Sequence, residues 1–193
     1  MKKILSIAAI AVLGIFGAQA QDGGFEKGDF YATGSLGFTT TSQGQASSDT
    51  YTFSPGAGYF VSENIALEAQ VTFGSATTEV AGTSTDISTA GVGVGAVYFF
   101  TPSNKFSFTT GLGVAYLRSK YGEGDNAPKN NTFGVNLTPG VHYFVSDHVA
   151  LRASIAALSY TSSKFDFDGA EAVNTFGFNL NLTDVNFGIV YKF

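Results

Sequence analysis

Cysteine is absent from all 193 residues, and so is tryptophan. Without a thiol there is no disulfide framework, no thiolate zinc site, no thiol nucleophile and no lipid-modified cysteine. Charge is scarce too: Asp, Glu, Lys and Arg make up 13% of the chain, about half of the roughly 25% usual in soluble domains. The net charge is −5 and no run of Lys or Arg occurs beyond a single pair at the start. That leaves no positive footprint for a phosphate backbone, so no nucleic acid is expected as a partner. Long apolar runs are also missing. The stretch Ile4 to Phe16 spans thirteen residues, short of the about 20 that a membrane helix needs. In their place the chain carries 19 Phe, 9 Tyr and 24 Gly.

The opening residues read as an export signal. Lys2 and Lys3 precede the apolar stretch, and the small residues of Gly17-Ala18-Gln19-Ala20 follow it, the order expected of a secretory signal cleaved after Ala20. Cleavage leaves 8 basic residues against 15 acidic ones, a net of −7.

Beyond Asp29 polarity alternates with a period of two. In the last segment Val185, Phe187, Ile189, Tyr191 and Phe193 oppose Asp184, Asn186, Gly188 and Lys192. Ile65, Leu67, Ala69, Val71 and Phe73 oppose Glu68, Gln70, Thr72 and Gly74, and Val149, Leu151, Ala153 and Ile155 oppose Arg152 and Ser154. This is the pattern of half-buried strands. Eight are expected, over 29–41, 50–61, 65–77, 87–100, 106–120, 132–145, 149–161 and 176–193. Tight turns at 62–64, 101–105 and 146–148 alternate with longer polar loops at 42–49, 78–86, 121–131 and 162–175. Phe53–Gln70 also aligns on Leu137–Ser154 with nine identities in eighteen, an internal repeat at an offset of 84 residues.

The greasy face points outward on this reading. The opposite face holds Gly, Ser, Thr, Asn and Gln with few charges, which suits the crowded interior of a narrow barrel better than a surface in water. Aromatics fall in two bands. Tyr59, Tyr98, Phe100, Phe106, Tyr143, Tyr191 and Phe193 lie near the tight turns; Phe38, Tyr51, Phe53, Phe73, Tyr116 and Phe133 lie near the longer loops. Two such girdles are expected at the two headgroup levels of a bilayer. The fold class is therefore all-β, an eight-stranded antiparallel transmembrane up-and-down β-barrel, closed because an unpaired edge in lipid has no water to satisfy it. The greasy parity changes between Phe176, Phe178, Leu180 and Leu182 on one side and Val185 to Phe193 on the other, so a β-bulge is expected at 182–185; the alternative is that 176–182 projects above the membrane as part of the outer hairpin.

The closing residues VNFGIVYKF, 185–193, resemble the C-terminal signature of bacterial outer-membrane barrels. The chain as a whole resembles the small eight-stranded barrels of the OmpA/OmpX membrane-domain type, a group loosely labelled porin-like. That resemblance implies an outer-membrane location in a Gram-negative cell envelope with both termini periplasmic. It also implies that the barrel-assembly machinery reads Phe187, Ile189, Tyr191 and Phe193. Residues 1–20 are then the signal peptide, 21–28 a short N-terminal periplasmic segment and 29–193 the barrel.

Inward charge is costly in a narrow barrel unless it is paired. With turns centred on Glu63 and Asp147, Gly58 falls opposite Glu68 and His142 opposite Arg152. Glu68 and Arg152 occupy equivalent repeat positions four strands apart. They are expected to meet across the lumen with His142 nearby, as a polar network and plug. Other constellations are weak. Neither His142 nor His148 is placed beside a hydroxyl nucleophile. Gly91, Gly93 and Gly95 lack the helix of a nucleotide motif, and Asp166, Asp168 and Glu171 read as an acidic turn rather than a calcium loop. No cofactor, metal or catalytic residue is assigned. The expected function is non-enzymatic: a structural or surface-interaction role carried by extracellular loops, with outer-membrane lipids and a surface ligand as partners. A small-solute or ion pore is the alternative, and a lipid-modifying enzyme a more distant one.

Overall fold

The computed structural model describes residues 23–44, 46–179 and 185–193, so the signal segment lies outside the described residues. Among the described residues ten β-strands occur: β1 Phe30–Gln43, β2 Ala46–Phe60, β3 Ile65–Val80, β4 Thr83–Phe99, β5 Phe106–Tyr121, β6 Lys129–Phe144, β7 Val149–Ser154, β8 Leu158–Phe165, β9 Val173–Phe178 and β10 Asn186–Lys192. Each of β1 to β6 is one stave of a barrel, β7 with β8 forms the seventh, and β9 with β10 the eighth. Sequential staves pair antiparallel, β6 with both β7 and β8, β7 with β10 and β8 with β9, and β1 pairs with β10 to close the ring. The result is a closed eight-stranded antiparallel barrel.

Alternation sets the facing. Phe73, Val92, Val94, Leu112, Tyr116, Phe133 and Ile189 are all exposed on the outside, where a soluble protein would place polar groups. The aromatics of the two expected bands lie on this same face: Tyr98, Phe100 and Phe106 at the short-turn end, Phe38, Tyr51 and Phe73 towards the other. Buried apolar side chains gather inside the short-turn end, around Phe25, Tyr31, Phe60, Phe99, Phe144 and Val190.

Three expectations need correction. The polar segments 42–49 and 78–86 are not long loops. β1 and β2 pair out to Gln43 opposite Ala46, and β3 and β4 out to Val80 opposite Thr83. The second hairpin turns on Ala81 and Gly82 alone, with φ of 51° and 81°, as a two-residue turn with both central residues left-handed requires. Thr-rich chain favours strand, but above a bilayer both faces meet water and the alternation that marks a strand disappears. β6 likewise begins at Lys129 rather than 132.

The seventh stave is interrupted where it was expected to be continuous. Ser154 pairs with Gly140 and Leu158 with Leu137, so three residues, 155–157, face two, Thr138 and Pro139. That extra residue is a bulge. It sits opposite Pro139, which has no N–H to give; the Pro139 carbonyl instead accepts from Ile155 N–H at 3.1 Å. The outward parity moves from Leu151 and Ala153 to Leu158 and Tyr160, and Ile155 falls within the irregularity instead of extending the greasy row. In the eighth stave the outward residues are Phe176 and Phe178 on β9, then Phe187, Ile189 and Tyr191 on β10. The bulge expected at 182–185 falls, apart from Val185, outside the described residues.

The repeated hairpins β2–β3 and β6–β7 share their turn chemistry. Ile65 N–H donates to Ser62 Oγ at 3.0 Å and Val149 N–H to Ser146 Oγ at 3.1 Å. Ser62 N–H and Ser146 N–H return bonds to the Ile65 and Val149 carbonyls at 3.3 and 3.1 Å. An offset of four staves in a ring of eight places equivalent positions of the two hairpins across the lumen at one height. That geometry builds the site.

Candidate functional site

Two layers cross the lumen. In the upper one, Arg152 on β7 reaches Glu68 on β3. Its Nη2 lies 2.5 Å from Oε1 and its Nη1 3.0 Å from Oε2, a bidentate pair of the strongest geometry available to these side chains. Tyr31 on β1 donates its hydroxyl to the same Oε1 at 2.5 Å. An eight-stranded barrel is about as wide as the side chains that fill it, so one long cation and one carboxylate suffice to bridge it. The register sets Gly58 beside Glu68 and His142 beside Arg152.

Tyr31 was not among the residues read from the sequence. It pairs with Gly58, and a Cβ at Gly58 would collide with the tip of the Tyr31 ring. The glycine leaves the space through which the phenol passes to Glu68. An inward aromatic opposite a strand glycine was the available signal, since such pairs are a known way to fill the gap a glycine leaves.

The lower layer is aromatic and its centre comes from before the barrel. Phe25, 1% exposed, projects into the short-turn end. Its ring lies 4.6 Å from Phe60, 5.1 Å from Tyr31, 5.0 Å from Phe144 and 5.2 Å from His142, centre to centre. The segment is pinned by backbone: Phe25 N–H donates to the Pro102 carbonyl at 2.8 Å, and Gly28 N–H to that of Phe60 at 2.9 Å. Lys192 adds two bonds, to the Gly24 carbonyl at 2.7 Å and to Asp29 Oδ2 at 2.8 Å. Gly24 lies so close to the Ser103 backbone that any Cβ would overlap it. Residues 21–28 were expected only as a short periplasmic segment; from Gly23 onward they turn inward and close the mouth. The cue was Phe25, the one large apolar residue between the expected cleavage site and the first strand.

His142 stands between the layers, 1% exposed, and neither ring nitrogen has a hydrogen-bond partner among the described residues; nor has Arg152 Nε. Ser107, beside His142 in the register, gives its hydroxyl to the Phe108 carbonyl at 2.9 Å instead. His148, at a short turn, is bonded through Nδ1 to the Lys192 carbonyl at 2.9 Å. Among the described residues no group of three or more His, Asp or Glu is placed to hold a metal ion.

Above the Glu68–Arg152 bridge the barrel is hollow. The space measures about 700 Å³ and is walled by Thr52, Ser54, Gln70, Asn136 and Thr138, with Gly93, Gly95, Gly111 and Gly113 leaving the room. Its lining runs from Glu68 and Arg152 up to Phe38, Thr39 and Thr50. Phe187, Ile189, Tyr191 and Phe193 lie at the seam, where β10 meets β1; the Phe193 ring is 5.5 Å from Phe30 and 5.2 Å from Tyr191.

Comparison with known proteins agrees with this architecture. The structure is similar to Neisserial surface protein A (NspA), with 19% identity, a TM-score of 0.56 and 85% of this chain covering 97% of that one. It is similar also to the outer membrane protein OprG from Pseudomonas aeruginosa, with 14% identity, a TM-score of 0.54 and coverage of 88% and 98%. At these identities the likeness is one of fold. No curated protein matches the chain. Residues 8–193 match the family model described as the outer membrane protein beta-barrel domain. With hydrocarbon-suited side chains outside, a closed ring of strands and a match over nearly its whole length, the chain is an outer-membrane protein and belongs to the outer membrane protein beta-barrel domain family.

Proposed function

We propose that this protein is a non-conducting, non-enzymatic barrel that serves as a rigid outer-membrane scaffold, presenting its hairpin-end connections to the outside for surface interaction. The observation that carries this reading is the double closure of the lumen. An aromatic layer centred on Phe25 and a bridge of Glu68, Arg152 and Tyr31 lie one above the other. A permeating solute would have to break a half-buried bidentate ion pair and then displace the packed rings of Phe25, Phe60, Phe99 and Phe144. The role of Glu68, Arg152 and His142 is thus that of a plug.

In this reading residues 1–20 are a secretory signal, the short turns and the Phe25 segment face the periplasm, and the hairpin ends beyond Gln43, at 81–82, at 122–128 and at 166–172 face outward. Outer-membrane lipids surround the barrel, the barrel-assembly machinery reads Phe187, Ile189, Tyr191 and Phe193 during insertion, and a surface ligand engages the hairpins. The hollow of about 700 Å³ is what favours the alternative, a small-solute pore. Solute efflux from liposomes separates the two. Liposomes carrying the folded protein are expected to retain a trapped pentose as well as protein-free liposomes do. Rapid swelling or leakage with the unaltered protein would establish the pore.

A further inference from the structure

On the outer face the greasy rows of β5, β6 and β8 end in basic residues. Outward positions on β5 run Leu112, Val114, Tyr116, Arg118, Lys120; those on β6 run Leu137, Val135, Phe133, Asn131, Lys129; those on β8 run Leu158, Tyr160, Ser162, Lys164. The register aligns them in rows: Tyr116 with Phe133, then Arg118 with Asn131 and Lys164, then Lys120 with Lys129. At about 3.3 Å per residue the first basic row stands roughly 7 Å above the aromatic row and the second roughly 13 Å above it. That is headgroup height on a girdled barrel.

Four of the 8 basic residues that remain beyond Lys3 are gathered in this one sector of an acidic protein. Arg118 is joined to Asp166 at 2.7 Å, an exposed pair of small net worth. Lys120, Lys129 and Lys164 have no ion pair or hydrogen bond from their side chains among the described residues, and Lys120 and Lys129 face each other directly, an arrangement that costs stability. Of the nearby acids, Asp86 accepts from the Thr77 hydroxyl at 2.7 Å, and Glu123 and Asp125 lie in the connection above. Beside the cluster is a shallow depression of about 450 Å³, apolar at Phe73 and Ala90 and basic at Arg118, Lys120 and Lys129.

We propose that Arg118, Lys120, Lys129 and Lys164 form a binding site for the phosphate-bearing headgroup of an outer-leaflet lipid. One acyl chain lies down the depression past Ala90 and Phe73, and the phosphate lies between the facing lysines. A soluble anion would fit the charge but not the position: the cluster is on the hydrocarbon-facing side of the strands, continuous with the apolar wall. A phosphate there offsets the Lys120–Lys129 repulsion, and cations near an anionic lipid surface are each worth about a fivefold gain in binding.

The full folded chain in maltoside micelles is offered bisphosphorylated lipid A, and bound lipid is counted by native mass spectrometry. The triple variant Lys120→Gln/Lys129→Gln/Lys164→Gln is expected to bind about a hundredfold more weakly, whereas Lys27→Gln/Lys105→Gln, at the other end, binds as the unaltered protein does. Heat-modifiable gel mobility checks that both variants are folded. With the unaltered chain, raising salt from about 0.1 M to about 1 M weakens binding, because the exposed charges are screened. Equal binding by the triple variant would overturn the proposal, as would equal binding of the same lipid stripped of its phosphates or insensitivity to salt. Complete displacement by inorganic pyrophosphate at millimolar concentration would reassign the site to a soluble anion.

Discussion

Arg152 grips both carboxylate oxygens of Glu68, a residue 84 positions earlier in the chain and on the opposite wall of the barrel. The same offset separates the two copies of the internal repeat, so the two residues stand at one position of one motif, with opposite charge. Phe60 and Phe144, both buried in the aromatic layer, and the buried Ala66 and Ala150 are related in the same way. A duplicated hairpin in an eight-membered ring confronts itself across the axis; the copies have diverged where confrontation requires complementarity and kept their residues where it requires only packing.

Breaking the bridge from either side leaves a charge without its partner in a narrow lumen. Arg152→Ala and Glu68→Ala are each expected to lower unfolding free energy by about 3 kcal/mol, and the double variant by clearly less than their sum. Urea unfolding of the refolded barrel, followed by gel mobility and tryptophan-free far-ultraviolet circular dichroism, measures all four corners of the cycle. Additive losses would show that the two side chains do not act together.

Gly58 and Tyr31 are coupled by volume. Gly58→Val places branched carbon where the Tyr31 ring lies, so a loss of about 3 kcal/mol is expected. In a Tyr31→Ala background the same replacement is expected to cost far less, because the space is then empty. Tyr31→Phe removes only the hydroxyl bonded to Glu68 and is expected to cost about 1 to 2 kcal/mol.

The facing of the strands was legible from residues such as Val94, Leu112 and Ile189, because a bilayer and a crowded lumen impose opposite chemistry on alternate positions. The meeting of Glu68 and Arg152 followed from the repeat and the strand count. What the sequence hid has physical reasons. Strand extensions such as Thr77 to Val80 carry polar residues on both faces once they leave the membrane, so no period remains. The bulge at 155–157 answers to Pro139 on a neighbouring strand, a non-local cause. Phe25 lies in an otherwise polar, glycine-rich lead-in, and its partners Phe60, Phe99 and Phe144 come together only when the barrel closes.

His142 carries two ring nitrogens without hydrogen-bond partners among the described residues, inside a box of Phe25, Phe99 and Phe144. An apolar ring of similar size removes that cost, so His142→Phe is expected to raise unfolding free energy by about 1 kcal/mol. A loss of stability would mean that the imidazole is engaged in a polar contact.

Phe193 is exposed and rests on Phe30 and Tyr191. If its outward row is an address for assembly, Phe193→Ala is expected to reduce the amount inserted in cells several-fold. The stability of protein refolded in detergent should change by only about 0.5 kcal/mol, as for other surface positions. Quantitative membrane fractionation beside in vitro unfolding separates the two effects. Normal insertion of the variant would remove Phe193 from that role.

Single-channel recording in planar bilayers tests the closed lumen most directly. The unaltered protein is expected to give a silent baseline, and the variant combining Phe25→Ala with Arg152→Ala and Glu68→Ala to give discrete openings. Steady conductance from the unaltered protein, unchanged by these replacements, would contradict the account.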